Sequence, residues 1–153
     1  MPLHYVDTSA LAKRYLLEPG TAWVNALLMS ESFAISHLAI VELASVLGRK
    51  TQEGAISPDS RDATFRTFLS DKERLVVLEL SLEVVQEAAT LLRDAPSFIR
   101  LRSLDALHVA SARLAFASAR RQGMVTGAFV TADQRLVTAA RWAGLTVLIP
   151  ETR

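Results

Sequence analysis

The sequence has no cysteine, which excludes disulfide bridges, thiolate metal sites and cysteine nucleophiles. It also has no apolar run approaching the ~20 residues that a membrane-spanning helix requires. The first residues show no basic segment followed by an apolar one, so no signal peptide is indicated. We therefore expect a cytoplasmic protein that makes no contact with a membrane.

Lysine is scarce as well, since 14 of the 17 basic residues are arginine and only three are lysine. The formal net charge is +1, so overall charge predicts no polyanionic partner. Half of the 153 residues are hydrophobic and 22% are charged, which is typical of a globular protein. With no repeat, linker or change of composition along the chain, we expect a single domain over residues 1–153.

Short apolar segments alternate with segments of helical periodicity. We predict strands at residues 3–6, 32–36, 75–78, 127–131 and 145–149. The predicted helices cover residues 10–17, 21–29, 38–52, 58–71, 81–93 and 104–122, and a short one starts at the capping-box pair Thr131 and Gln134. This alternation is typical of an α/β fold with a parallel sheet and helices on both faces.

Four of the 16 acidic residues lie among apolar neighbours, where a carboxylate is unusual: Asp7, Glu42, Asp105 and Asp133. Asp7 and Asp133 follow predicted strands, while Glu42 and Asp105 lie near predicted helix starts. Asp7, Asp105 and Asp133 could each be a cap or first-turn residue with a purely structural role. Glu42 lies more than one turn into its helix, where no capping role explains it.

The carboxyl ends of parallel strands meet at one edge of a sheet, where ligands bind. Four carboxylates brought together there could not all ionise without a compensating positive charge. Oxygen ligands without cysteine or clustered histidine favour Mg²⁺, with Mn²⁺ as a substitute. The sequence therefore predicts a divalent metal site.

Around these acids the chain resembles the four acidic motifs of PIN domains. The matching segments are residues 6–11, 41–43, 104–110 and 130–133, and their order and spacing are most similar to VapC-type toxins of type II toxin–antitoxin pairs. The resemblance implies a five-stranded parallel sheet in the order 3-2-1-4-5. It also implies Mg²⁺-dependent endoribonuclease activity, a cognate antitoxin and usually a homodimer.

The expected reaction is hydrolysis of an RNA phosphodiester bond by metal-activated water. Asp7 and Asp105 would be the main metal ligands, and Glu42 and Asp133 would bind directly, bind through water or orient the attacking water. Hydroxyls at Ser9 and Thr131 could donate hydrogen bonds to these carboxylates, or could simply cap helices.

Three basic side chains lie close to Asp105 in the sequence. Arg100 and Arg102 are candidates to hold substrate phosphates, although an ordinary solvated connector would look the same. His108 follows Asp105 by three residues on the same helical face, which allows a general-acid role but favours a packed histidine. Many relatives have a further acid at the position of Gln134, so the resemblance does not imply a second metal on that side of this chain.

Other functions remain open at this point. An aspartyl-phosphate phosphatase would need a second aspartate at position 9, where this chain has Ser9. A PIN nuclease of RNA maturation would share the same acidic motifs, and a non-catalytic protein-binding module would share the fold. We also expect an antitoxin helix to bind an excess of apolar side chains, with a basic residue directed at Asp7 and Asp105. That apolar set is Leu11, Tyr15, Leu16, Trp23, Leu27, Leu28, Phe65 and Phe68.

Overall fold

A computed structural model describes residues 1–152 of the chain. Its strands are β1 (Leu3–Val6), β2 (Ser32–Ser36), β3 (Val76–Leu78), β4 (Thr126–Val130) and β5 (Val147–Leu148). They pair in parallel in the order β3-β2-β1-β4-β5, which confirms the predicted topology. The carboxyl ends of β1 and β4 therefore lie side by side in the middle of the sheet.

The helices that connect these strands begin close to the predicted positions. They are α1 (Thr8–Leu11), α2 (Thr21–Ser30), α3 (Leu38–Gln52), α4 (Pro58–Asp71), α5 (Leu82–Asp94), α6 (Ser103–Arg121) and α7 (Gln134–Trp142). Ser57 caps α4 by accepting from the Ser60 amide at 3.1 Å, and Ser81 caps α5 through the Val84 amide at 3.3 Å. Among the described residues, no helix is both long and apolar enough to cross a membrane.

Hydrophobic clusters cover both faces of the sheet. Tyr5 and Phe129, paired across β1 and β4, face a cluster that contains side chains of α5, α6 and α7. The next pair, Val6 and Val130, faces the opposite cluster with α1, α3 and α4. Because side chains alternate across a strand, the sheet forms the middle layer of three, as the sequence predicts.

Gly127 allows β4 to pass over a histidine of β1. A Cβ at Gly127 would lie 2.5 Å from the His4 ring, far inside contact distance. His4 accepts a hydrogen bond from the Ala128 amide at 3.0 Å, and the β1–β4 register shifts at this point. A residue larger than glycine would therefore displace the strand that carries the sheet edge described below.

The predicted first helix, residues 10–17, is wrong in its bounds. α1 begins earlier, at Thr8, because Asp7 caps it, and a 3₁₀ turn follows at Ala12–Arg14. Lys13 is only 4% exposed, which is unusual for a lysine. It forms ion pairs with Glu18 at 3.4 Å and with Glu151 at 2.7 Å, and Glu151 lies too far along the chain for helical periodicity to reveal the pairing.

The apolar set expected to bind a partner is mostly part of the core. Leu11 and Phe68 are fully buried, so their assignment to a docking surface is wrong. The other six pack against the same cluster as partly buried side chains. Phe65 also lines an open groove of about 400 Å³ between α3 and α4.

Candidate active site

Asp7 lies at the end of β1 with its carboxylate almost completely enclosed, at 3% exposure. Thr131 donates to Oδ2 at 2.8 Å, the Ala10 amide donates to Oδ1 at 3.0 Å, and the Ser9 hydroxyl lies 2.8 and 2.9 Å from the two oxygens. Burial raises the pKa of Asp7, and the electrostatic interaction with His108 and these hydrogen bonds only partly offset it. The carboxylate is therefore rigidly oriented but short of positive charge.

The two hydroxyls that hold Asp7 also connect β1 to the turn after β4. Ser9 Oγ accepts from the Ala132 amide at 2.9 Å, and Thr131 Oγ1 accepts from the Asp133 amide at 3.1 Å. Ser9 and Thr131 thus contact the Asp7 carboxylate directly, and their supporting role in the reaction remains a prediction. The capping-box start at Thr131 is wrong, because Asp133 is the N-cap of α7 and accepts from the Arg135 amide at 2.9 Å.

Asp133 and Asp105 approach each other from the starts of two helices. Asp105, half-buried near the start of α6, accepts from the Arg102 amide at 3.3 Å. Burial raises the pKa of Asp105, the Arg102 amide lowers it, and the charge of Asp133 raises it again. Asp133 in turn accepts from the Arg135 guanidinium at 3.3 Å. These two carboxylates therefore interact with each other, and Thr131 connects the Asp133 amide to Asp7.

A sequence model of the PIN domain matches residues 4–141, nearly the whole chain. The chain belongs to the PIN-domain family. Over 151 residues it is 31% identical to Ribonuclease VapC47 of Mycobacterium tuberculosis (strain CDC 1551 / Oshkosh), a match that covers 95% of this chain and 96% of that protein. This PIN domain is therefore of the VapC type.

Solved structures show the same fold. VapBC2 from Rickettsia felis, bound to a DNA fragment from its promoter, superimposes with a TM-score of 0.65 at 15% identity over 96% of this chain and 98% of that chain. VapC20 of Mycobacterium tuberculosis, a toxin that cleaves the sarcin-ricin loop, gives a TM-score of 0.62 at 18% identity over 89% and 94% of the two chains. At these identities the likeness shows the architecture alone.

Glu42 of this PIN domain is held by a histidine rather than by a cap. His108 Nε2 lies 3.1 and 3.3 Å from the two Glu42 oxygens, and His108 Nδ1 lies 2.7 Å from the Tyr5 hydroxyl. Because a carboxylate only accepts, His108 Nε2 donates to Glu42, and in the tautomer with the proton on Nε2 alone the Tyr5 hydroxyl donates to Nδ1. The buried chain Tyr5–His108–Glu42 thus orients the carboxylate.

The electrostatics of Glu42 reflect this contact. Burial alone would raise the pKa of Glu42, but the hydrogen bond and electrostatic interaction with His108, together with the Thr8 hydroxyl, outweigh it and lower the pKa. The spacing of His108 after Asp105 indicated that both face one side of α6, but its partner Glu42 lies 66 positions away. Tyr5 offered a sequence signal, since it is a polar-tipped residue within an otherwise apolar strand, although its role did not follow from the sequence.

The oxygen atoms that these residues offer are of the kind that binds a hard divalent cation. The four acids and the Ser9 and Thr131 hydroxyls offer oxygen ligands only, which suits Mg²⁺ or Mn²⁺. Within residues 1–152, no three acidic or histidine side chains stand close enough together to form a complete ligand set. The four acids are therefore not arranged as a complete metal site in this structure.

The two predicted phosphate-binding arginines lie on the connector that precedes α6. Arg100 and Arg102 are both exposed, and the main-chain amide of Arg102 holds Asp105. Their guanidinium groups are therefore available beside the acidic residues, and their role in binding phosphate remains a prediction.

Proposed function

We propose that this VapC-type PIN domain is a divalent-metal-dependent endoribonuclease and the toxin of a toxin–antitoxin pair. The observation that carries the proposal is the environment of Asp7. A fully buried carboxylate is costly unless its charge is compensated, and each hydrogen-bond partner of Asp7 is a hydroxyl or a main-chain amide. Such a carboxylate suits a cation that arrives with substrate or from solution.

We assign the following roles to the side chains of the site. Asp7 and Asp105 would be the main metal ligands, with Mg²⁺ as the expected ion and Mn²⁺ as a substitute. When bound, the ion supplies positive charge that polarises the attacking water and the scissile phosphate. Glu42 and Asp133 would complete the ligand set or orient that water, and Ser9 and Thr131 would keep Asp7 in place.

Cleavage of labelled RNA by the purified chain tests the nuclease proposal. We expect cleavage in Mg²⁺ or Mn²⁺, none in EDTA, and a loss of at least roughly 100-fold in Asp7→Asn and Asp105→Asn, because electrostatic groups at a reacting centre contribute on that scale. Asp94→Asn is the matched control, since that exposed acid pairs only with the neighbouring Arg93. Full activity of a correctly folded Asp7→Asn variant would contradict the assignment of the site.

The toxin assignment rests on relatives rather than on the site. The similarity to VapC47 and the shared fold of VapBC2 support a cognate antitoxin as the partner, and the groove beside Phe65 offers it an apolar surface. Expression of the chain alone should inhibit growth, and co-expression with the adjacent reading frame should relieve the inhibition and yield a stable complex. A harmless chain that no neighbouring product binds would instead indicate a nuclease of RNA maturation.

Two further properties are proposed by family membership alone. We expect a homodimer, which light scattering of the purified chain would measure, and a cytoplasmic location, which fractionation of producing cells would measure.

A further inference from the structure

A groove of about 240 Å³ lies beside the acidic residues, between α7 and the connector that joins α5 to α6. Five side chains line it: Phe98 and Arg100 from the connector, and Gln134, Arg135 and Thr138 from α7. Arg135 also donates to Asp133 at 3.3 Å, so one residue belongs both to the groove and to the candidate active site. The groove therefore borders the candidate active site at Asp133.

The connector holds an aromatic ring out in water. Phe98 is 76% exposed, whereas the adjacent Ile99 is 8% exposed and packs inward. The Ile99 amide donates to the Pro96 carbonyl at 2.9 Å, which fixes the turn that presents the ring. Because Ile99 anchors the connector, the residues on either side of it, Phe98 and Arg100, both face outward.

Positive charge flanks this ring. Arg100 is exposed, and among residues 1–152 no acidic side chain forms an ion pair with it. Arg102 follows two positions later, and Arg135 forms the opposite wall. An acidic site by itself would repel a phosphate backbone, so RNA needs such charge at the approach to the site.

We propose that this groove binds one unpaired nucleotide of the RNA substrate next to the scissile bond. The base stacks on Phe98, Arg100 binds a backbone phosphate, and the Gln134 amide and Thr138 hydroxyl offer a donor and an acceptor to the base edge. The inference rests on the proposed nuclease function, since it names the part of the substrate that the site receives. A basic antitoxin segment fits the groove less well, because it would meet the arginines.

Binding of a fluorescent, unstructured 12-nucleotide RNA to the full chain in EDTA tests the subsite without cleavage. Loss of base stacking on an aromatic ring is expected to weaken binding by about tenfold in Phe98→Ala, whereas Phe98→Tyr keeps the ring and should restore binding. Arg100→Gln should weaken binding and reduce the slope of log K against log salt by about 0.7, the value for one phosphate contact on a single strand. Met124→Ala is the matched control, since Met124 is 45% exposed and precedes β4 at the opposite edge of the sheet.

Kinetics and antitoxin binding separate this proposal from the one on which it rests. In the presence of metal, Phe98→Ala should raise KM and leave kcat nearly unchanged. Wild-type RNA affinity in Phe98→Ala would overturn the subsite even if the chain cleaves RNA. Loss of antitoxin binding without loss of RNA binding would overturn it too, and would assign the groove to a protein contact. RNA binding that depends on Phe98 in a chain that cleaves nothing would support the subsite and contradict the nuclease.

Discussion

Replacing Tyr5 by phenylalanine removes a single oxygen atom from the core and tests how Glu42 is oriented. The ring should stay in place, because it stacks on Phe129 with centroids 5.3 Å apart. What is lost is the 2.7 Å hydrogen bond to His108 Nδ1. Burial, and then the charges of Asp7 and Glu42, raise the pKa of Tyr5 well above its usual value, so in the wild-type chain the hydroxyl remains a proton donor at all working pH values.

The cost to stability follows from the burial of both partners. Tyr5 is 0% exposed and His108 is 2% exposed, so water cannot replace the lost hydroxyl at Nδ1. A buried acceptor left without a partner costs about 1–3 kcal/mol. A value of about 2 kcal/mol would lower Tm by roughly 4–8 °C in a domain of this size. Thermal unfolding in metal-free buffer measures this directly.

The cost to activity should exceed what destabilisation explains. Without Tyr5, the His108 ring can adopt its other tautomer, and Nε2 then no longer donates to Glu42. Misplacement of a group at a reacting centre by about 1 Å can cost up to 100-fold, so we expect kcat to fall by roughly 10- to 100-fold at a temperature where both proteins are folded. Tyr15→Phe is the matched control, because the Tyr15 hydroxyl donates to Asp71 at 3.0 Å, outside the group of site residues.

The test compares kcat and Tm between Tyr5→Phe and the control variant Tyr15→Phe. A Tyr5→Phe variant with the kcat of Tyr15→Phe would show that the chain Tyr5–His108–Glu42 is only a packing feature. An unchanged Tm would show that the hydrogen bond to Nδ1 is replaced by another donor, and the calculated penalty would be wrong.

Three further outcomes are expected. Burial raises the folded-state pKa of Asp7, so the folded chain binds a proton at Asp7 more tightly than the unfolded chain does. The stability that this proton contributes is fully present below the unfolded pKa of about 3.9 and is lost as pH rises through the folded pKa. Asp7→Asn should therefore raise Tm by a few degrees in metal-free buffer at pH 7, with the gain vanishing in acid; a loss of Tm at pH 7 would contradict this. Millimolar Mn²⁺ or Mg²⁺ should raise the wild-type Tm by mass action and raise it less in Asp105→Asn, whereas no shift at all would favour a non-catalytic module. Lys13→Met should lower the free energy of unfolding in urea by about 2 kcal/mol, a value between those for exposed and buried ion pairs. The substitution leaves Glu18 and Glu151, each 34% exposed, without their cation. The control variant Lys50→Met should leave the free energy of unfolding unchanged.

The fold and the proximity of Asp7 and Asp133 could be predicted from the sequence, because both depend on strand order. Parallel strands with helices between them place all carboxyl ends at one edge, so Asp7 and Asp133 had to lie near each other once β1 and β4 are neighbours. The hydrogen bonds that connect Asp7 through Thr131 to the Asp133 amide follow from this adjacency. The serine caps of α4 and α5 were equally local and therefore predictable.

Contacts between helices that are distant in the sequence could not be predicted in this way. Periodicity indicates which face of a helix is apolar, but it does not identify the residue that meets a polar group on that face. The sequence therefore favoured a packed role for His108, whereas its contact with Glu42 depends on how α3 and α6 dock. The burial of Lys13 could not be predicted for the same reason. The carboxylates that permit it belong to Glu18, in the next turn, and to Glu151, near the end of the chain.

The candidate site combines two carboxylates that are held in place, Asp7 and Glu42, with two that keep weaker contacts, Asp105 and Asp133. Both oxygens of Asp7 are held by short hydrogen bonds from groups on α1 and at the end of β4, and Glu42 is held by His108. Asp105 and Asp133 lie at helix starts, and their contacts with a main-chain amide and a guanidinium are both 3.3 Å long. Exposed ion pairs contribute little free energy, and the Asp133 side chain is 29% exposed. Under the proposed function, Asp105 and Asp133 would therefore be the carboxylates that adjust to a metal, since the described residues contain no complete ligand set.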